Sequence, residues 1–182
     1  MKKYRPLLGI SVGDPSGIGP EITAKALTLP EIYDVCRPLA VAETEMMRDA
    51  VQFSGLSLDI HPVMDPQNGK YEAGTIDVLD LKNIDAKSIQ HKVVSADSGR
   101  ASFEYIKKVI ELALLQDIDA TVTGPINKEA INQAGFHYAG HTEIYAELTK
   151  TRDYAMMLMH ENFRVIHVST HVSLREALDR VK

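Results

Sequence analysis

The sequence predicts an α/β fold: three layers, α/β/α, with helices on both faces of a mixed, mostly parallel sheet. Short apolar runs of strand length alternate with segments of helical period along most of the chain. Several of these runs, such as "LLGISV" (7–12), are apolar enough to be buried strands. Turn formers close two of them, Gly13-Asp14-Pro15 and Gly124-Pro125.

The elements follow in order. After "LLGISV", "GIGPEITAKAL" (17–27) reads as a helix with Pro20 in its first turn and Glu21 near its positive end. "RPLAVA" (37–42) is a second strand. "TEMMRDAVQFSG" (44–55) is a helix with Thr44 as N-cap and Gly55 as its stop. "LSLDIHPV" (56–63) alternates and gives a third strand. Residues 64–96 carry Pro66, Asn68, Gly69, Gly74 and many polar side chains, and read as a long connection or a β-rich excursion. The strongest helix is "SADSGRASFEYIKKVIELALLQD" (95–117), with Phe103, Ile106, Val109, Ile110, Ala113 and Leu114 near a 3.6 period. "DATVTG" (119–124) is a strand, "NKEAINQAG" (127–135) a helix stopped at Gly135, and "HTEIYAELTK" (141–150) another helix. "YAMMLMH" (154–160) and "FRVIHVS" (163–169), joined by Glu161-Asn162, predict an antiparallel hairpin that makes the sheet mixed. "SLREALDRVK" (173–182) begins a helix capped by Ser173, with Leu174, Ala177, Leu178 and Val181 on one face. It has no C-cap, glycine or proline after it, so the natural chain is expected to continue.

The bulk numbers narrow the function classes. The chain has 182 residues, 45% hydrophobic and 25% charged, ordinary values for a globular protein. A net charge of −5 argues against non-specific binding to nucleic acid or anionic membrane. Cys36 is the one cysteine, so no internal disulfide exists, which fits a reducing, cytoplasmic location. The apolar run near the N-terminus is too short for a signal-peptide core, and no window reaches the roughly 18 apolar residues of a membrane span.

Three constellations carry candidate chemistry. "GDPSGIGPE" (13–21) follows a strand and opens a helix, so backbone amides and the helix dipole there favour an anion. It is neither G-x-G-x-x-G nor G-x-x-x-x-G-K-S/T, because Pro20 and Glu21 stand in the Lys and Ser/Thr places. The plainer reading is a tight turn with Asp14 and Ser16 capping. The second constellation places Lys128, His137, His141, Thr142 and Glu143 in a glycine-punctuated region after a strand. Lys128 suits an anion, and His141 and Thr142 open a helix where they reach a hydroxyl or phosphate; the plainer reading is a capping histidine and a solvated lysine. His141-x-Glu143 is not the H-E-x-x-H of a zinc protease. The third is His171, just past a strand end, with His160 and His167 nearby in sequence. His167 and Ser169 share strand parity, but sequence assembles no three metal ligands around His171.

Four segments, in this order and spacing, carry a family resemblance: "GDPSGIGPE", "VTGPINKEAINQAGFHYAGHTE" (122–143), "YAMMLMH" and "STHVSLREALD" (169–179). Together they resemble the 4-hydroxythreonine-4-phosphate dehydrogenase (PdxA) family. The resemblance implies an isocitrate/isopropylmalate-dehydrogenase-like fold, of which these residues form the N-terminal part of a two-domain enzyme. It implies a cytoplasmic homodimer that oxidises a secondary alcohol on a small phosphorylated hydroxy acid with NAD. It also implies a divalent metal, zinc, magnesium, manganese or cobalt, held by three histidines, and possible decarboxylation of the product. Carried over by motif, His141 and Thr142 bind substrate and His171 is the first metal histidine. The other two metal histidines and most of the NAD site would then lie beyond Lys182.

Two departures separate this chain from the pyridoxal-pathway members. Val172-Ser173-Leu174 stands where those members typically read Leu-Pro-Leu, and "GDPSG" replaces "GEPAG". Both lean toward the branch resembling 4-phospho-D-threonate or 4-phospho-D-erythronate dehydrogenases. The competing expectations are a phosphate-acyl transferase of related fold, which needs no metal histidine, and an inactive anion-binding fragment.

Overall fold

The computed structural model describes residues 4–169 and 172–181. The chain divides into two compact units, the first ending at Gly140 and the second beginning at His141.

The first unit is built on five strands: β1 (Leu7–Ser11), β2 (Arg37–Ala42), β3 (Asp59–Val63), β4 (Thr75–Asp80) and β5 (Ala120–Thr123). Its helices are α1 (Gly19–Ala26), α2 (Pro30–Val35), α3 (Thr44–Phe53), α4 (Ala96–Leu114) and α5 (Lys128–Gln133). The sheet order is β3-β4-β2-β1-β5 and every pairing is parallel. Gly9 in the middle of β1 lies opposite Leu39 on one side and Thr121 on the other. Right-handed crossovers place the helices before and after β2 on one face, and α4, which returns the chain from β4 to β5, on the other.

Composition explains the layering. β2 and β4 are buried along almost their whole length, as strands covered on both faces must be. Leu7, Leu39, Val41, Ile76, Val78, Met47, Tyr105 and Val109 form the core between sheet and helices. Removing each Leu or Ile side chain from water contributes roughly 1.5–3 kcal/mol. Gly9 eases the crossing of α4 over β1, because a Cβ there would stand 2.6 Å from the Ile118 side chain and 3.3 Å from that of Val109, which would have to shift.

Several expectations need correction. β4 lies inside the stretch 64–96, so of the two readings, a long connection or a β-rich excursion, the structure favours the second, although the sequence reading sets no bounds for a strand there. Its central Asp77 breaks the apolar pattern, yet is wholly buried because it accepts from His61 Nδ1 (2.7 Å), Lys70 N (3.0 Å) and Tyr71 N (2.8 Å). α2 is too short to show a period and is nucleated by Pro30 at its first turn. The cap of α3 is Glu43, not Thr44, which is the first helical residue. The tight turn is as read, with Asp14 capping it by accepting from Ser16, and the N-cap of α1 is Ile18. Gly55 (φ +67°) and Gly135 (φ +89°) end their helices as expected.

The second unit holds α6 (His141–Leu148), β6 (Met157–His160), β7 (Phe163–Ile166) and α7 (Leu174–Arg180). β6 and β7 pair antiparallel, with His160 opposite Phe163. Glu161 takes φ +49°, supplying the left-handed residue that a two-residue hairpin needs. The hairpin is a two-stranded sheet of its own, so parallel and antiparallel pairing are divided between two sheets. β7 ends at Ile166, and His167 and Ser169 lie beyond it. Ser173 caps α7 in a capping box with Glu176. Among the described residues no helix is long and apolar enough to cross a membrane.

Candidate active site

In open parallel sheets, ligands gather outside the carboxyl ends of the strands, where neighbouring strands are reached by chain running in opposite directions. Here that place lies between β1, which leads toward β2, and β5, which arrives from the far side through α4. A hollow of about 300 Å³ occupies it, lined among others by Asp14, Ser16, Lys92, Pro125 and Asn127.

The loop "GDPSG" shapes this hollow through backbone contacts. Gly13 has φ +86°, and a Cβ on it would stand 2.2 Å from the Pro125 carbonyl. A Cβ on Gly124 would stand 2.3 Å from Val12 O, and one on Gly19 1.9 Å from the same oxygen. Three glycines thus let the ends of β1 and β5 and the start of α1 close on one another, and Asp14 N donates to Pro125 O at 2.9 Å. The Asp14 carboxylate accepts from Ser16 N (2.8 Å) and Ser16 Oγ (2.7 Å), which rigidifies the turn.

The far wall comes from the segment leading into α4. Lys92 (φ +66°) donates its backbone N–H to Ser16 O at 2.8 Å, and Ser98 Oγ stands 3.4 Å from Ser16 Oγ. Ser98 donates to Ser95 O and its amide is held by Ser95 Oγ, the N-cap of α4. Asn127 caps α5 by accepting from Ala130 N at 3.0 Å. The hollow therefore offers the Lys92 side and the amide end of α1, while its one carboxylate is already engaged by Ser16. That balance suits an anionic group.

A second hollow, about 410 Å³, lies over the ends of β2 and β4. Its lining includes Glu43, Glu45, Asp49, Asp80 and Asp85 against Lys82 and Lys87, a surplus of carboxylates that disfavours a phosphorylated acid. Glu43 is buried there, accepting from Tyr105 Oη and, at 3.1 Å, from Asn83 N. Burial holds its carboxyl above the usual glutamate range despite these donors.

The sequence-predicted residues fall as follows. Lys128 is exposed at the first position of α5. His137 is exposed in the loop after Gly135, whose course is fixed by Phe136 and Tyr138 stacking on Phe103 of α4 (centroids 3.9 and 5.8 Å). His141 and Thr142 open α6 in the second unit; His141 is half-buried with Nε2 shut from solvent, and Thr142 is exposed. His160 and His167 are exposed at either end of the hairpin. His171 lies outside the described residues. Among the described residues no three His, Cys, Asp or Glu side chains converge on a place for a metal ion. Lys92, Ser98 and the wall they form escaped the sequence reading. Their segment carries no motif, and only the Ser95 cap signals that a helix begins there.

The family model described as "Pyridoxal phosphate biosynthetic protein PdxA" matches residues 34–182. The chain belongs to the PdxA family. The PdxA chain described here is 47% identical over 173 residues to a Symbiobacterium thermophilum protein named "Putative D-threonate 4-phosphate dehydrogenase", covering 95% of this chain and 52% of that protein. It is 42% identical over 181 residues to a protein of the same name from Clostridium botulinum strain Hall, covering 100% of this chain and 54% of that protein. It thus spans about half the length of the curated relatives it matches. Among solved structures, a 4-hydroxythreonine-4-phosphate dehydrogenase from Burkholderia phymatum superposes with a TM-score of 0.92 at 39% identity, over 97% of this chain and 53% of that one. A terephthalate 1,2-cis-dihydrodiol dehydrogenase from Burkholderia xenovorans, at 24% identity and a TM-score of 0.74, shares the fold.

Proposed function

We propose that this PdxA chain is the substrate-binding part of a dehydrogenase that oxidises a four-carbon phosphorylated hydroxy acid, with 4-phospho-D-threonate or 4-phospho-D-erythronate as substrate. The observation that carries the reading is the 42–47% identity to proteins bearing the D-threonate 4-phosphate dehydrogenase name. The departures at Val172-Ser173-Leu174 and in "GDPSG" point the same way. A 4-hydroxythreonine 4-phosphate substrate is the second reading, favoured by the Burkholderia phymatum structure at 39% identity.

In this reading His141 and Thr142 bind the substrate. At the first turn of α6, the Thr142 hydroxyl offers a hydrogen bond to an acid or phosphate oxygen, and the His141 ring offers one to a hydroxyl. His171 is one ligand of a divalent metal, shared with histidines supplied from elsewhere. A divalent ion held there would acidify the substrate alcohol, and NAD would supply the hydride acceptor. The enzyme is a cytoplasmic homodimer; the single cysteine fits a reducing compartment.

Titration calorimetry with 4-phospho-D-threonate tests the site. His141→Ala is expected to weaken binding by about tenfold or more, the scale of one or two lost hydrogen bonds to a charged ligand. Unchanged affinity in His141→Ala refutes the assignment, and tighter binding of 4-hydroxythreonine 4-phosphate moves it to the second reading. NADH formation by the 182-residue chain alone is expected to be absent; normal turnover contradicts the division of the active site.

A further inference from the structure

We propose that Lys92 and Asn127 hold the phosphate ester of a ligand that enters the hollow at the ends of β1 and β5. Their role rests on reading this PdxA chain as part of a dehydrogenase of phosphorylated acids.

Among the residues lining the hollow, Lys92 is the cation and Asp14 the acid. The two do not cancel. Asp14 is buried and committed to Ser16, whose N–H and Oγ–H donate to it at 2.8 and 2.7 Å. Asp97, the next acid along the chain from Lys92, pairs with Arg100 at 3.1 Å. Lys25 and Lys107 pair with Glu21 and Glu111 on their own helices, whereas among the described residues Lys92 has no ion pair. Asn127 spends its Oδ1 on the Ala130 amide, which leaves its side-chain N–H₂ as a donor. An ammonium and an amide with no acceptor to match them suit an oxyanion, and a phosphate ester presents several acceptor oxygens.

Lys92 is also fixed in place. Its N–H donates to Ser16 O at 2.8 Å, which pins it to the turn on the other side of the hollow. Its φ of +66° is one that glycine adopts without cost and lysine does not. Beside this charge, Ile18, Val93 and Val94 line the hollow and are 61%, 44% and 36% exposed, so an apolar wall adjoins the cation. Two phosphate esters carry the shared chemistry. The phosphorylated acid is polar throughout, and a nicotinamide nucleotide adds a ring with an apolar face.

Titration calorimetry at fixed ionic strength tests this with inorganic phosphate, 4-phospho-D-threonate and nicotinamide mononucleotide. Lys92→Gly removes the charge and relieves the backbone, so it is expected to melt no lower than the parent. It is expected to weaken binding of at least one of the three about tenfold or more, and Lys92→Arg to recover most of that loss. Asn127→Asp keeps the α5 cap but replaces the donor by a like charge, and is expected to weaken the same ligand. Lys107→Ala, exposed on α4, is the control for net charge and is expected to change nothing. A loss confined to 4-phospho-D-threonate assigns the hollow to the substrate's phosphate, and one confined to the mononucleotide assigns it to the cofactor's; either supports the proposal. Unchanged affinity for all three in Lys92→Gly overturns it, as does a parent that binds none of them or an equal loss in Lys107→Ala. If Lys92→Gly melts lower than the parent, Lys92→Gln decides by the same criteria. Binding of 4-phospho-D-threonate that needs His141 but not Lys92 removes the role of Lys92 and leaves the proposed function standing. Phosphate binding that needs Lys92, with no binding of either phosphorylated acid, refutes that function and leaves the role of Lys92.

Discussion

Tyr105, buried in α4, donates its phenolic proton to the Glu43 carboxylate at the end of β2, tying helix to sheet beneath the acidic hollow. The bond acts oppositely on its two ends: it favours the Glu43 carboxylate, which burial disfavours, and makes the phenol harder to ionise. The phenol is held well above its ordinary value, first by burial and then by the Glu43 charge.

Glu43 therefore makes stability depend on pH. Its carboxyl is raised above 4.5 chiefly by burial, so the folded state holds this proton more tightly than the unfolded state. The stabilisation is complete below the ordinary glutamate value and is lost as pH rises through the raised one. Glu43→Gln keeps an acceptor for Tyr105 but cannot ionise. The melting temperature of Glu43→Gln is expected to fall less than that of the parent between pH 4.5 and neutrality. Parallel curves contradict the assignment.

The loop at the end of β1 discriminates between two glycines. Gly13→Ala forces a left-handed residue and places a Cβ 2.2 Å from Pro125 O, whereas a Cβ on Gly17 finds its nearest neighbour at 3.4 Å. Gly13→Ala is expected to lose about 3 kcal/mol in urea unfolding, and Gly17→Ala about 0.5 kcal/mol or less. Equal losses rule out the close approach of β1 and β5 as the cause.

Gly99 sets intrinsic propensity against packing. Alanine in a helix interior is favoured over glycine by about 1 kcal/mol. A Cβ on Gly99, however, would stand 2.0 Å from Ala130 O and 2.6 Å from Ile131 N. Both obstacles are backbone of α5, so packing wins. Gly99→Ala is expected to cost about 2 kcal/mol or more by chemical denaturation, and a gain in stability refutes the α4–α5 contact.

Asp77 holds three donors on one buried carboxylate. Asp77→Asn leaves one of them facing an amide N–H₂. The expected loss is about 2–3 kcal/mol, with faster amide exchange at Lys70 and Tyr71. Unchanged exchange at those two amides removes the clamp role.

How much of this was legible differs by region. The "GDPSG" turn, the strands on either side of it and the long helix 95–117 are local features, written in glycine, proline and apolar period. The hairpin at 154–169 was also legible, even with Glu161-Asn162 as its turn. β4 was not, because a buried aspartate reads as polar until the loop that it clamps is in place. His141 at the start of α6 was legible from Gly140 before it. The wall opposite Asp14 was not, because Lys92 and Ser98 reach Ser16 across more than seventy residues of sequence.

Apart from α2 and β4, the sequence by itself determined the element types, and with them the α/β class and the family, since these depend on short-range pattern and residue chemistry. Only the tertiary structure decided that β4 sits between β3 and β2, that the antiparallel pair forms its own sheet, and which loops meet at the ends of β1 and β5. Those outcomes depend on strand order and on close backbone approaches at Gly13, Gly99 and Gly124, contacts between residues that no local period connects.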